Sequence, residues 1–178
     1  MMIFWFVNGS LILVIIFLFV LLSWVWPPDS PWSPWWTTDR KTARAICRLA
    51  NVKKGDIVYD LGCGTGTALI VAAKEFGAKG VGIEIDPLRY YTAKFLVNKN
   101  KLSGSIKIIK KNFFDVDISD ATVIFVYLVP KALERLKPKL LRELKRGTLL
   151  VSFRYKISLP LVSYDKENDI YLYRVDKV

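Results

Sequence analysis

Asp60 and Glu84 are the residues whose type and spacing prescribe chemistry most clearly. Asp60 closes the apolar run Ile57-Val58-Tyr59 and is followed by Leu61 and then by glycines at 62, 64 and 66. The run reads as a buried strand and the glycines as a tight turn. Residues 68–76 read as a helix closed by Gly77. Strand, glycine turn and helix open a nucleotide-binding α/β unit, in which the backbone passes close beneath a ligand where a Cβ would collide. A second strand, Gly80 to Ile85, places Glu84 about twenty residues further on, where a carboxylate can accept both hydroxyls of a ribose. Thr67 stands where a dinucleotide fingerprint, G-x-G-x-x-G, needs its third glycine, and no G-x-x-x-x-G-K-[ST] loop is present.

On these residues the chain resembles the class I S-adenosylmethionine-dependent methyltransferases. Their first motif is D/E-x-G-x-G-x-G, and their second strand ends in an acid. The resemblance implies S-adenosylmethionine as donor, a sulfonium cation that calls for carboxylates and aromatic faces rather than a phosphate cradle. Asp60 would then meet the methionine ammonium. The backbone of Gly62, Cys63, Gly64 and Gly66 would pass beneath the amino-acid and ribose parts. Glu84 would hold the ribose hydroxyls, and Ile85 would pack on the adenine. Asn112 and Phe113, after the third strand, would meet the adenine edge and face. The competing readings are a solvated strand-end acid for Glu84, and turn and core packing for Asn112 and Phe113. Cys63 fills a slot in the glycine turn that suits a small side chain.

The fourth strand ends in Tyr127-Leu128-Val129-Pro130, and the reacting centre of an open α/β sheet lies outside the carboxyl ends of its strands. Tyr127 is the catalytic candidate, its ring offered to a methylammonium or a lysine stem, with simple packing as the alternative. Asp/Asn-Pro-Pro-Tyr/Phe, common at this point in amine methyltransferases, is absent. The sequence holds no histidine and two cysteines, Cys47 and Cys63, so His-based catalysis and a Cys/His metal site are excluded. An amine acceptor would lose its proton to water or to Tyr or carboxylate groups, with in-line approach supplying much of the catalysis.

A narrower resemblance covers residues 37 to 178. The chain is similar to the small archaeal protein-lysine methyltransferases and to their membrane-anchored mitochondrial relatives acting on the ATP synthase c-subunit and the adenine nucleotide translocase. It rests on Thr38 to Val52, on Asp56 to Gly64, on Asn112 to Val123, on Leu136 to Leu140 and on Gly147-Thr148. It implies lysine methylation, with Thr38 near the donor. That family usually carries Gly-Asp-Gly-Arg where this chain has Gly64-Thr65-Gly66-Thr67.

Ahead of the domain, Met1 to Pro28 carries no charged side chain until Asp29, and Leu11 to Leu22 is wholly apolar. As a helix, the segment bracketed by Trp5 and Trp24 would span about 28 Å, close to the hydrocarbon thickness of a bilayer. The tryptophans at 24, 26, 32, 35 and 36 crowd after it, as in an interfacial belt. No basic n-region precedes it, which disfavours a cleaved signal peptide. Arg40, Lys41, Arg44 and Arg48 follow, so the positive-inside rule puts the domain on the cytoplasmic side of a single-pass membrane protein.

Lys+Arg 27 against Asp+Glu 16 gives a net charge of +11, which suits an anionic surface. Nucleic acid is not expected as partner, because the basic residues are scattered and no RNA-binding module is appended. The organisation expected is a membrane anchor over 1–26, a Pro/Trp-rich linker over 27–37 and a methyltransferase domain over 38–178. The fold class is a Rossmann-like seven-stranded, mostly parallel sheet with helices on both faces. Within it the helix over 131–145 is expected to break near Pro138, and its basic residues to form a solvated face. The bilayer is the partner expected for 1–26, and the acceptor an amine, a protein lysine or else a lipid headgroup or lipid precursor. An inactive donor-binding scaffold is the third reading.

Overall fold

A computed structural model describes residues 2–25 and 37–176, with side chains from 8 to 22 and from 37 to 176. The chain divides into two compact units, Met1–Trp35 and Trp36–Val178. In the first, helix α1 runs Met2–Val25 and exposes every described side chain from Leu11 to Leu22. Among the described residues no helix is long and apolar enough to cross a membrane; the part of α1 with described side chains, 8–22, is too short alone. The expected linker and its tryptophans lie outside the described residues, apart from Thr37.

The second unit is a seven-stranded mixed sheet. Its strands are β1 (Ile57–Leu61), β2 (Lys79–Glu84), β3 (Ile106–Lys110), β4 (Val123–Val126), β5 (Leu149–Phe153), β6 (Leu161–Asp165) and β7 (Ile170–Arg174). Their order is β3-β2-β1-β4-β5-β7-β6, with β7 antiparallel to both neighbours and all other pairs parallel. Alternation along the strands sorts two cores. Val58, Phe125 and Val151 pack with helices α2 (Arg40–Leu49) and α3 (Thr67–Phe76), and with Val97 of α4 (Pro87–Lys99). Tyr59, Leu61, Ile124, Val126 and Leu150 pack on the other face with α5 (Pro130–Glu143). Helices therefore cover both faces, the arrangement a parallel sheet needs.

Local chemistry fixes the helix ends. Asp39 caps α2 by accepting from the Thr42 amide at 2.6 Å, and Asp86 caps α4 ahead of Pro87. Gly77 closes α3 with φ +73°, a left-handed residue suited to glycine. The apolar face of α2, Ala43, Ile46, Cys47 and Ala50, is buried as its spacing predicts.

The α5 region differs from the sequence expectation. The helix is continuous through Pro138, which costs about 3 kcal/mol in a helix interior. Pro138 is exposed, so water can reach the Glu134 carbonyl that loses its partner. Leu133, Leu136 and Leu140 are wholly buried, at about 1.5–3 kcal/mol each, which outweighs that loss. Nor is the basic side of α5 uniformly solvated. Lys139 is buried, and its Nζ donates to the Val116 carbonyl at 2.8 Å and to Glu143 at 2.6 Å. Strand β4 also stops at Val126 rather than Val129, because Val129 already caps α5 and Pro130 begins it.

Gly82 in β2 is required by packing. A Cβ there would lie 2.7 Å from Cys63 Sγ and 2.8 Å from Ile108 Cδ1 and Leu69 Cδ1. The glycine turn and α3 can thus sit tight on the sheet. Gly82→Ala is expected to destabilise the protein by about 1–3 kcal/mol, seen as a lowered urea midpoint; an unchanged midpoint would contradict this packing.

Candidate functional site

The ends of β1 and β2 hold the site together. Gly62, Gly64 and Gly66 have φ of +88°, +54° and +75°, a run of left-handed backbone that side-chain-bearing residues adopt only at a cost. Most amides of the turn are satisfied within the protein. Gly62 and Cys63 donate to the Ile83 carbonyl at 2.9 and 3.1 Å, and Gly66 donates to the Cys63 carbonyl at 2.8 Å. Gly64 donates to Glu84 Oε2 at 2.8 Å. Such a turn offers no nest of amides for a phosphate. It presents instead the exposed Gly62, where an added Cβ would meet only Leu128, at 3.8 Å.

Glu84 is 5% exposed, and its other oxygen accepts from the Asp86 amide at 2.9 Å. It is therefore fixed by backbone at both oxygens and is not a solvated strand-end acid. Each carboxylate oxygen keeps a further lone pair for a ligand hydroxyl. Burial raises its pKa, while the Asp86 and Gly64 amides and the charge of Arg89 oppose the rise. Asp60, 9% exposed at the end of β1, is pushed up to about 7 from 3.8 by burial and then by the Glu84 charge. Burial disfavours the ionised form of both carboxylates, and a cationic ligand beside them would offset that cost. Sequence reasoning missed Arg89, a buried residue of α4 that shares the electrostatic field of Glu84 and Asp86. Its signal was its place in the first turn of α4, three residues after the Asp86 cap.

The other expected donor contacts divide. Ile85 is half-buried between β2 and α4, beside Glu84. Cys63 turns its sulfur into the core against Gly82, so only its backbone faces the turn; burial raises its thiol pKa and keeps it protonated. Asn112 spends its Oδ1 on the Phe114 amide at 3.1 Å as the cap of a short 3-10 turn, Phe113–Asp115. Phe113 packs on Phe114, 4.7 Å between ring centroids, and against the α5-side core. Both thus carry turn and packing roles here. Thr38 is half-buried, one residue ahead of the α2 cap. The Thr65 and Thr67 hydroxyls hydrogen-bond at 3.2 Å, so the two positions that depart from the resembling family close on each other as a neutral pair.

Tyr127 follows the last residue of β4. Its ring meets Phe153 edge-on at 4.6 Å and lies 6.4 Å from that of Tyr155. Burial raises the phenol pKa, so Tyr127 keeps its proton.

The residues fit a sulfonium amino-acid nucleoside. Asp60 would take an ammonium, Glu84 vicinal hydroxyls, and Gly62 would let a ligand pass over the backbone. The raised Asp60 pKa has a consequence for stability. The native protein holds this proton more tightly than the unfolded chain, so the contribution of Asp60 is full below pH 3.8 and is lost as pH rises toward about 7. Asp60→Asn is expected to flatten that decline and to stabilise the ligand-free protein at pH 8 by roughly 1 kcal/mol or more. Urea unfolding across pH 4 to 8, in roughly unit steps, measures it; parallel curves for the two proteins would contradict the assignment.

Comparison with known proteins agrees with this geometry. The family model described as the ANTKMT methyltransferase domain matches residues 60–160. The chain is 46% identical over 128 residues to the protein-lysine N-methyltransferase of Saccharolobus islandicus (strain REY15A), covering 71% of this chain and 80% of that protein. It is 27% identical over 115 residues to the ATP synthase c-subunit lysine N-methyltransferase of Mus musculus, 65% of this chain and 46% of that protein, so it spans about half the length of that relative. Among solved structures it is similar to an RNA methyltransferase from Salinibacter ruber in complex with S-adenosyl-L-homocysteine, with TM-score 0.76 and 32% identity, covering 80% of this chain and 95% of that one. The chain belongs to the ANTKMT methyltransferase-domain family and is an S-adenosylmethionine-dependent methyltransferase.

Proposed function

We propose that this enzyme methylates a lysine side chain of a protein held in or near a membrane. The observation that carries the reading is the 46% identity to a protein-lysine N-methyltransferase across most of both chains. The membrane part rests on α1, which runs without a charged residue from Met2 to Val25, about 36 Å at 1.5 Å per residue. We propose that 1–26 anchors the enzyme, that 27–37 lies in the headgroup region, and that the domain faces the cytoplasm.

The bound donor supplies a methyl group on a positively charged sulfur. The chain supplies the rest. Asp60 and Glu84 orient the donor from the β1 and β2 ends. Tyr127, beyond β4, lies next along the sheet, because Leu61 pairs with Val126 in register. A lysine must arrive there as the neutral amine, since its lone pair attacks the methyl carbon. With no histidine in the sequence and a Tyr127 phenol that stays protonated, that proton leaves to solvent. With donor saturating, kcat/KM for the acceptor is expected to rise about tenfold per pH unit from roughly pH 7 to 9, with no descending limb.

The acceptor class is tested by incubating cell membranes and extract with the purified enzyme and radioactive donor, then separating protein, lipid and RNA. Label in lysines of membrane proteins, with enzyme retained in the membrane fraction, is the expected result. Label in lipid or in RNA would overturn the lysine reading.

A further inference from the structure

We propose that the rings of Tyr127, Phe153 and Tyr155 form the subsite for the acceptor's ammonium or methylammonium, and that Arg154 occupies it until the acceptor arrives. The proposal rests on the reading that the acceptor is an amine.

Register places these rings beside the donor site. Asp60 pairs with Phe125, and Phe125 with Val151. Tyr127 and Phe153 lie two residues further along β4 and β5, hence on the same face of the sheet. Phe125, Val151 and Phe153 share one core cluster, and Tyr127 packs against it. Tyr127 stands just past the end of β4, and Phe153, the last residue of β5, is buried beneath it at the rim of the core, in the row that continues from Gly62 of the donor turn. Tyr155 follows just beyond β5, its ring inclined 30° to that of Tyr127 at 6.4 Å.

A cation already sits on this surface. The Arg154 guanidinium carbon lies 5.9 Å from the Tyr127 ring centroid and 5.4 Å from that of Phe153, within cation–π range. Arg154 is exposed, and its backbone is left-handed, φ +66°, where residues other than glycine are uncommon. Its amide donates to the Asp169 carbonyl at 2.8 Å, which ties the turn after β5 to the β6–β7 connection. Strained backbone at the mouth of a site is where function is commonly found. A side chain swung from that turn can leave the rings without disturbing β5.

Rings suit this acceptor better than carboxylates would. A carboxylate would hold the lysine as its ammonium and raise its pKa, opposing the proton loss that precedes attack. Aromatic faces attract the cation more weakly and leave the neutral amine bound by its apolar stem. After proton loss to solvent, the nitrogen lone pair forms the N–C bond and the C–S bond breaks with its electrons on sulfur. The nitrogen regains its positive charge, and the rings hold the product cation as they held the reactant.

The test uses the full-length protein in nanodiscs and a fluorescent Gly-Ser peptide carrying one trimethyllysine, compared with the same peptide carrying the uncharged carbon isostere. The charged peptide is expected to bind about tenfold tighter. Tyr155→Leu should abolish most of that preference, and Arg154→Gln should tighten the charged peptide several-fold by removing its competitor. Donor affinity, measured by calorimetry on the same variants, should be unchanged, which also shows that they fold. Equal binding of the isostere, or an Arg154→Gln variant that binds the charged peptide no tighter, would overturn the proposal. Cation-selective binding together with methyl label in lipid would retain the subsite and reject the lysine reading. Label in protein without ring dependence would do the reverse.

Discussion

One carboxylate fastens the two halves of the donor site. Glu84 accepts the Gly64 amide with one oxygen and the Asp86 amide with the other, bridging the turn after β1 and the start of α4. Removing a buried acceptor of this kind leaves donors unsatisfied, at about 1–3 kcal/mol each. By comparison the Arg44–Glu75 pair between α2 and α3, though 2.7 Å long, is open to solvent, which screens it and leaves it little to contribute. The order of the site therefore comes from backbone donors on a buried acid rather than from ion pairs on the surface.

That arrangement has an electrostatic cost. Glu84 and Asp60 are both buried, and the Glu84 charge adds to desolvation in holding Asp60 near 7. Arg89 compensates in part at Glu84, from the first turn of α4. A ligand that brings an ammonium and a sulfonium into this corner stabilises both ionised acids, and one that brings phosphate does not. The amides of the turn point the same way, since the protein's own acceptors engage them. Charge and hydrogen bonding at the two strand ends are thus compatible with the donor that the family implies.

The parts legible in the sequence were those set by short-range rules. The glycine turn, the α3 stop at Gly77 and the acid ending β2 each depend on a few adjacent residues. Pro138 misled because its helix penalty is local, whereas the burial of Leu133, Leu136 and Leu140 that outweighs it is tertiary. Lys139 looked like part of a solvated basic face, since nothing nearby in sequence announces the Val116 carbonyl it reaches. Asn112 and Phe113 cap a turn and pack on the core, contacts that nothing nearby in sequence announces. The grouping of Tyr127 with Phe153 and Tyr155 was invisible, because only strand register brings the ends of β4 and β5 together.

The central claim is that a cation completes a buried acid pair, and proton linkage reads it directly. Calorimetric titration of S-adenosylmethionine into the full-length protein near pH 7, in two buffers of different ionisation enthalpy, counts the protons exchanged. An Asp60 carboxyl at about 7 should release roughly half a proton as the donor binds, and Asp60→Asn should release none from that position. Donor binding with no proton release, or with uptake, would contradict the account.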